Sequence, residues 1–254
     1  LLLRVNCGSQ MHLEHQIEYE AHALRLMEGS GRTPKVLYVD GGKKILEHGV
    51  LVMEYLPGHA MDYHTELMLA APCLADIHSV PIPESEEILI HPQNPLKAIL
   101  EECEEMLKVY LESPLGDGEK KTYIRELLNI GWKREAEIQL ESGYQCCINT
   151  ELNSTNLLLN GEGKSNYLID WEKPLFGNPA QDLGHFLAPT TTFWKTDVIL
   201  TSEEIEKFID AYIKAVGNRF KTDMIREHTH AFIPITCLRG ITWCAMAWVQ
   251  YQQP

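Results

Sequence analysis

Ile148-Asn149-Thr150-Glu151-Leu152-Asn153-Ser154-Thr155-Asn156-Leu157-Leu158-Leu159, then a turn, then Tyr167-Leu168-Ile169-Asp170-Trp171, is the stretch that decides the fold. Leu157 to Leu159 and Tyr167 to Ile169 are two short apolar runs. Between them Asn160-Gly161-Glu162-Gly163-Lys164-Ser165 supplies turn residues, with Gly and Asn free to take positive φ. The pattern predicts a β-hairpin. Asn156 precedes its first strand and Asp170 follows its second, so the hairpin brings both to its open end. Glu151 lies in the loop that enters it. Two carboxylates and an amide oxygen then converge, which suits Mg²⁺, a cation that completes its shell with water and phosphate.

This layout resembles the catalytic loop and metal-binding aspartate of the kinase fold, and more closely the aminoglycoside phosphotransferase and choline kinase family. That family reads His-x-Asp-x-x-x-x-Asn, a hairpin, then Ile-Asp-Trp/Phe-x. Asn156 matches the motif Asn, and Ile169-Asp170-Trp171-Glu172 matches the second motif. Gly177-Asn178-Pro179-Ala180-Gln181-Asp182-Leu183-Gly184 is similar to the family's following Gly-x-Pro-x-x-Asp-Leu segment. There are two departures. Asn149 stands in the place of His, and Glu151 in the place of the catalytic Asp. Glu151 keeps the carboxylate on a stem one methylene longer, and a misplacement of that order can cost roughly a hundredfold in rate.

The resemblance implies an α+β, two-lobed, protein-kinase-like fold. Residues 1–57 would form a small β-rich nucleotide-binding N-lobe, and residues 58–254 a larger, mostly helical C-lobe. The family opens with two strands and a phosphate-covering loop before the strand that matches Leu1 to Asn6, so the N-lobe is expected to be truncated at its start. The chain lacks an initiator Met, consistent with a start inside a longer protein.

His12 to Glu28 reads as a helix with Leu13, Ile17, Ala21 and Leu24 on its apolar stripe. Glu20 sits on or beside that stripe and calls for a cationic partner, for which Arg4 is the candidate. Arg4 and Glu20 match the strand Lys and helix Glu that hold nucleotide phosphates in the kinase fold, with Arg in place of Lys. Lys35 to Asp40 and His48 to Tyr55 read as strands around Gly41-Gly42. Gly49-Val50-Leu51-Val52-Met53-Glu54-Tyr55-Leu56-Pro57-Gly58 resembles the inter-lobe hinge. By that match Met53 lines the back of the nucleotide pocket, Glu54 supplies a backbone carbonyl and Leu56 a backbone N–H.

Met61 to His78, Leu96 to Leu111, Thr122 to Leu140, Ser202 to Val216 and Ile225 to Tyr251 read as helices, and another begins at Asp182. Val80 to Pro95 reads as an exposed loop. His78 is assigned a structural role, and Asp182, by resemblance, steadies the catalytic loop. Ser202 is expected to cap its helix, and Trp243 and Trp248 to lie in the core. Glu101, Glu102, Glu104 and Glu105 lie where the family places substrate-binding elements; they could meet an amine-bearing substrate or form a solvated helix face.

Composition bounds the rest. The 254 residues carry 22 Lys and Arg against 36 Asp and Glu, a net charge of −14. That disfavours nucleic acid. It either attracts a cationic substrate or serves solubility. Seven cysteines, with no Cys-x-x-Cys and no zinc spacing, fit free thiols in a reducing cytoplasm. No signal peptide is evident, and no apolar run is expected to reach the length of a membrane span. The function so implied is ATP-dependent phosphotransfer, with Mg²⁺, to a hydroxyl of a small, amine-bearing molecule of aminoglycoside or amino-alcohol type. The alternative is a catalytically impaired, kinase-like nucleotide-binding protein. The oligomeric state stays open.

Overall fold

The computed structural model describes residues 1–9, 11–44, 46–138, 140 and 143–252. The chain begins with strand β1 (Leu2–Asn6), helix α1 (Gln16–Met27), β2 (Val36–Asp40) and β3 (Gly49–Met53). These strands form an antiparallel sheet in the order β1-β3-β2. Arg4 lies opposite Leu51 and Leu2 opposite Met53. Opposed residues share a face, as do residues two apart along a strand. Arg4, Leu51 and Met53 therefore lie on one face of the sheet, the face that meets α1.

Helix α1 is shorter than the periodicity predicts. His12 has φ 55°, in the left-handed region, so the chain turns before the helix starts at Gln16. Ile17, Ala21 and Leu24 are buried as expected, while Leu13 packs only at the margin of the core.

A second sheet joins β4 (His59–Ala60), β6 (Leu157–Leu159) and β7 (Tyr167–Leu168), and β5 (Cys146–Ile148) pairs with β8 (Leu175–Gly177). The predicted hairpin is β6–β7, with Leu157 opposite Leu168. Gly58, at φ +139°, brings the segment after β3 so close to β6 that an added Cβ would lie 3.0 Å from the Leu158 Cβ.

The remainder is helical: α2 (Tyr63–His78), α3 (Pro95–Glu112), α4 (Gly118–Glu137), α5 (Pro179–Leu187), α6 (Pro189–Lys195), α7 (Ser202–Val216) and α8 (Ile225–Tyr251). Caps explain several shifted boundaries. Asp117 accepts the Lys120 N–H and starts α4 earlier than expected. Asn178, followed by Pro179, starts α5 ahead of Asp182. Thr201, not Ser202, caps α7 and forms a reciprocal capping box with Glu204. The Val80 to Pro95 loop is not wholly exposed: Leu89 is buried, and the Ile90 carbonyl accepts the Phe176 N–H.

Helix α8 corrects two expectations. By length and composition it could cross a membrane. It packs as a core helix against α3 and α5, burying Phe232, Ile235, Thr229 and Thr242. Trp243 meets Trp194 edge to face, but Trp248 is 56% exposed, at odds with a core role. All seven cysteines are free thiols.

Candidate active site

The loop between β5 and β6 is held from below by one buried carboxylate. Asp182 Oδ2 accepts the Asn149 N–H at 2.8 Å and Asp182 Oδ1 accepts the Thr150 N–H at 2.7 Å. Thr150 has φ 68°, so its amide turns inward to reach that oxygen. His78 lies 3.1 Å from Asp182 on one side and 2.8 Å from the Tyr212 hydroxyl on the other, with all three side chains buried. The loop is thus fixed by charge-assisted bonds in a dry environment, where they count for most. Asp182 and His78 occupy the supporting places expected of them.

Above this support the loop presents its functional groups. The Asn156 Nδ2 donates to the Glu151 carbonyl at 3.1 Å, which turns its Oδ1 the other way. The Ile169 N–H donates to the Asn156 carbonyl at 2.9 Å, so the hairpin end holds Asn156 beside the Asp170 segment. Asp170 has φ 62°, a conformation that costs a non-glycine residue energy and that Asp tolerates better than most. The Asn149 Nδ2 donates to the Asp170 carbonyl at 2.8 Å. A side-chain N–H at position 149 is what this geometry needs, and an amide supplies it as an imidazole would.

Arg4 joins the two halves of the molecule. Its Nε lies 3.0 Å from Glu20 Oε2, its Nη1 donates to Asp170 Oδ1 at 2.9 Å, and its Nη2 donates to Glu172 Oε2 at 2.7 Å. Glu20 is 1% exposed. Burial pushes its carboxyl up to about 7 from 4.5, with Arg4 opposing the shift and Asp170 and Glu172 adding to it. Helix α1 also docks directly on the segment after Asp170. The Gln16 Nε2 donates to the Glu172 carbonyl at 2.6 Å, and the Tyr19 hydroxyl donates to the Pro174 carbonyl at 2.7 Å.

Glu151 Oε1 lies 2.6 Å from the Lys173 Nζ and 4.0 Å from the Arg239 Nη2. Lys173, Glu172 and Arg239 were not singled out as site residues on sequence. Glu172 and Lys173 follow Asp170 after Trp171, and a charged pair just behind the hairpin's Asp is a usable signal. Arg239 stands in a long apolar helix, where a charge wants a partner.

The hinge-like segment lies apart from these ion pairs. Met53 and Leu56 are buried, and the Glu54 N–H donates to the Lys35 carbonyl at 2.9 Å. Met53 shares a sheet face with Arg4. The structure therefore brings Arg4 into direct contact with both Glu20 and Asp170, with Glu151 and Asn156 on the adjoining loop, and sets Met53, Glu54 and Leu56 along β3 and its exit.

Among the described residues, no three His, Cys, Asp or Glu side chains form a ready cation cage. An all-oxygen set of Asp170 and Asn156, with Glu172 alongside, fits the sparse protein ligation of Mg²⁺.

Comparison with known proteins places the chain. A comparison with curated proteins returns no match. Among solved structures it is similar to a choline/ethanolamine kinase family protein from Mesorhizobium loti (16% identity, 98% of this chain and 74% of that one, TM-score 0.65). It is similar also to choline kinase LicA from Streptococcus pneumoniae (20% identity, 99% and 78%, TM-score 0.61). A third is the AMP-bound spectinomycin phosphotransferase APH(9)-Ia (15% identity, 98% and 78%, TM-score 0.63). At these identities the likeness is one of fold, and the α+β, two-lobed, kinase-like architecture is shared. The family model described as phosphotransferase enzyme family, APH, matches residues 1–227. The chain therefore belongs to the phosphotransferase enzyme family.

Proposed function

We propose that this protein transfers the γ-phosphate of ATP to a hydroxyl of a small, amine-bearing molecule. The observation that carries this reading is the convergence on Asp170, which is contacted by Arg4 from the small sheet and by Asn149 from the loop that bears Glu151 and Asn156. The boundary between the lobes is set at residues 57 and 58. The named substrates of the similar structures, choline, ethanolamine and spectinomycin, agree with an amine-bearing acceptor, as does the acidic chain.

In this reading Met53 backs the adenine pocket, and the Glu54 carbonyl and Leu56 N–H meet the base edge. Arg4, oriented by Glu20, turns its fork to the phosphates. Asn156 and Asp170 would hold Mg²⁺, which when bound would neutralise phosphate charge. Glu151 orients the acceptor hydroxyl and takes its proton. The acceptor oxygen forms its bond to the γ-phosphorus as the bond to the β–γ bridging oxygen breaks, and ADP leaves. Lys173 holds the Glu151 carboxylate in place at 2.6 Å, offsetting the extra freedom of the longer side chain. Free thiols agree with a reducing cytoplasm.

The same Glu151–Lys173 pair supports a second reading, in which the carboxylate is locked away and the protein binds nucleotide without transferring phosphate. One experiment separates the two. ATP consumption with Mg²⁺ is measured against a panel of aminoglycosides and amino-alcohols, with nucleotide binding followed by calorimetry. Acceptor-stimulated turnover that Glu151→Ala removes, with nucleotide affinity kept, supports transfer. Tight binding without turnover on any acceptor supports the second reading.

A further inference from the structure

The segment that leaves Asp170 is held along both edges. From the loop between β5 and β6, the Asn149 Nδ2 donates to the Asp170 carbonyl at 2.8 Å and the Thr150 Oγ1 to the Lys173 carbonyl at 2.7 Å. From helix α1, the Gln16 Nε2 donates to the Glu172 carbonyl at 2.6 Å and the Tyr19 hydroxyl to the Pro174 carbonyl at 2.7 Å. Gln16 and Tyr19 are both buried. Between these holds the segment sends the Lys173 side chain to Glu151, at 2.6 Å. The placing of that ion pair is thus set from α1 as well as from the loop that bears Glu151.

Tyr19 reaches further than Gln16. A phenol has one proton to donate and lone pairs that accept. The Tyr19 proton goes to Pro174, and its oxygen accepts the Ile90 N–H at 3.1 Å. Burial pushes the phenol up to about 12, so the hydroxyl keeps the proton it donates. The Ile90 carbonyl in turn accepts the Phe176 N–H at 3.0 Å. Just beyond Ile90, Pro92 and Pro95 line a cleft of about 260 Å³, together with Leu175, Thr150 and Lys173. Through Lys173 the cleft adjoins Glu151. One hydroxyl therefore fastens both the segment that holds the Glu151 partner and the loop that walls the cleft beside it. Tyr19 is also the neighbour of Glu20, whose carboxylate lies 3.0 Å from the Arg4 Nε. The helix that orients Arg4 is the helix that carries this hydroxyl.

We propose that Tyr19 is a positioning residue: its hydroxyl, fixed on α1, sets the Lys173–Glu151 pair for removal of the acceptor's proton and holds the Pro92 to Pro95 wall of the cleft in which the acceptor sits. Tyr19 acts through Lys173 and that wall, with no part in the bond that forms or the bond that breaks. This rests on the phosphotransferase reading and adds a residue to its machinery.

The test uses Mg–ATP with ethanolamine, choline or spectinomycin, whichever the wild type turns over fastest. KM and kcat are measured for the wild type, Tyr19→Phe, Gln16→Met, Lys173→Met and Tyr19→Phe combined with Lys173→Met, and Mg–ATP binding is measured alone by calorimetry. Tyr19→Phe keeps the ring and leaves the Pro174 carbonyl and the Ile90 N–H without their partner. It should lower kcat about tenfold and raise the acceptor's KM about threefold or more, with the Mg–ATP Kd changed by less than about twofold. Gln16→Met loosens the segment but not the cleft wall, and should lower kcat alone. In the double variant Tyr19→Phe should lower kcat by less than about twofold beyond Lys173→Met, because the pair through which it acts is already gone. Unchanged kcat and KM in Tyr19→Phe overturn the proposal, as do losses that simply multiply in the double variant, the mark of a residue that only steadies the fold. A Gln16→Met variant that raises KM as much as Tyr19→Phe overturns it, and so does a Mg–ATP Kd that weakens as far as kcat falls. In each of these cases wild-type turnover leaves the phosphotransferase reading standing. Mg–ATP binding without turnover of any of the three acceptors overturns the proposal together with that reading.

Discussion

The side-chain amide of Asn149 donates to the backbone carbonyl of Asp170 at 2.8 Å, and Asp170 sits at φ 62°. The bond holds Asp170, the proposed Mg²⁺ ligand, in a left-handed backbone conformation. Asn149→Ala should therefore weaken Mg–ATP binding about tenfold, through loss of one buried hydrogen bond. Asn149→His, which restores a ring N–H, should recover most of the loss. Mg–ATP titration by calorimetry checks both, and an Asn149→Ala protein with wild-type affinity would contradict the role.

Asp182 supports the same loop from the other side. Asp182→Ala would leave two buried backbone N–H groups and His78 without their acceptor. A cost of about 3 kcal/mol or more is expected, since removing one partner of a buried charged network strands the rest. Urea unfolding should show the loss in the midpoint. Asp182→Asn keeps one acceptor oxygen, and its midpoint should fall between those of the other two proteins.

Glu151 is the group whose length departs from the family pattern. If Lys173 compensates for that length, Lys173→Met should lower kcat by about tenfold to a hundredfold while leaving KM for ATP nearly unchanged. Glu151→Asp would shorten the reach to Lys173 and should lower kcat as well. A faster Glu151→Asp enzyme would mean that the longer side chain is not matched to this site. Steady-state kinetics on both variants decides it.

Glu20 makes stability depend on pH. Its folded-state carboxyl titrates near 7, against 4.5 for the ordinary group, because burial disfavours the charged form. A folded value above the unfolded one means that the folded protein binds the proton more tightly. This contribution to stability is complete below about 4.5 and is lost as pH rises through about 7. Glu20→Gln should flatten that part of the profile. Melting temperatures of both proteins between pH 5 and 8 test it, and parallel profiles would refute it.

The chain's own pattern determined the hairpin, the positions of Asn156 and Asp170 at its open end, the long helices and the pairing of Arg4 with Glu20. Those features rest on local periodicity, turn chemistry and the need of a buried charge for a partner. Tertiary structure alone decided that Arg4 also reaches Asp170 and Glu172, because that contact joins residues far apart in the chain across two packed layers. It likewise decided that Lys173 pairs with Glu151 and Arg239 with Glu102. No short-range signal specifies which cation meets which carboxylate when both signs are scattered along the chain. The choice falls to the packing of α3 on α8 and of α1 on the segment after Asp170.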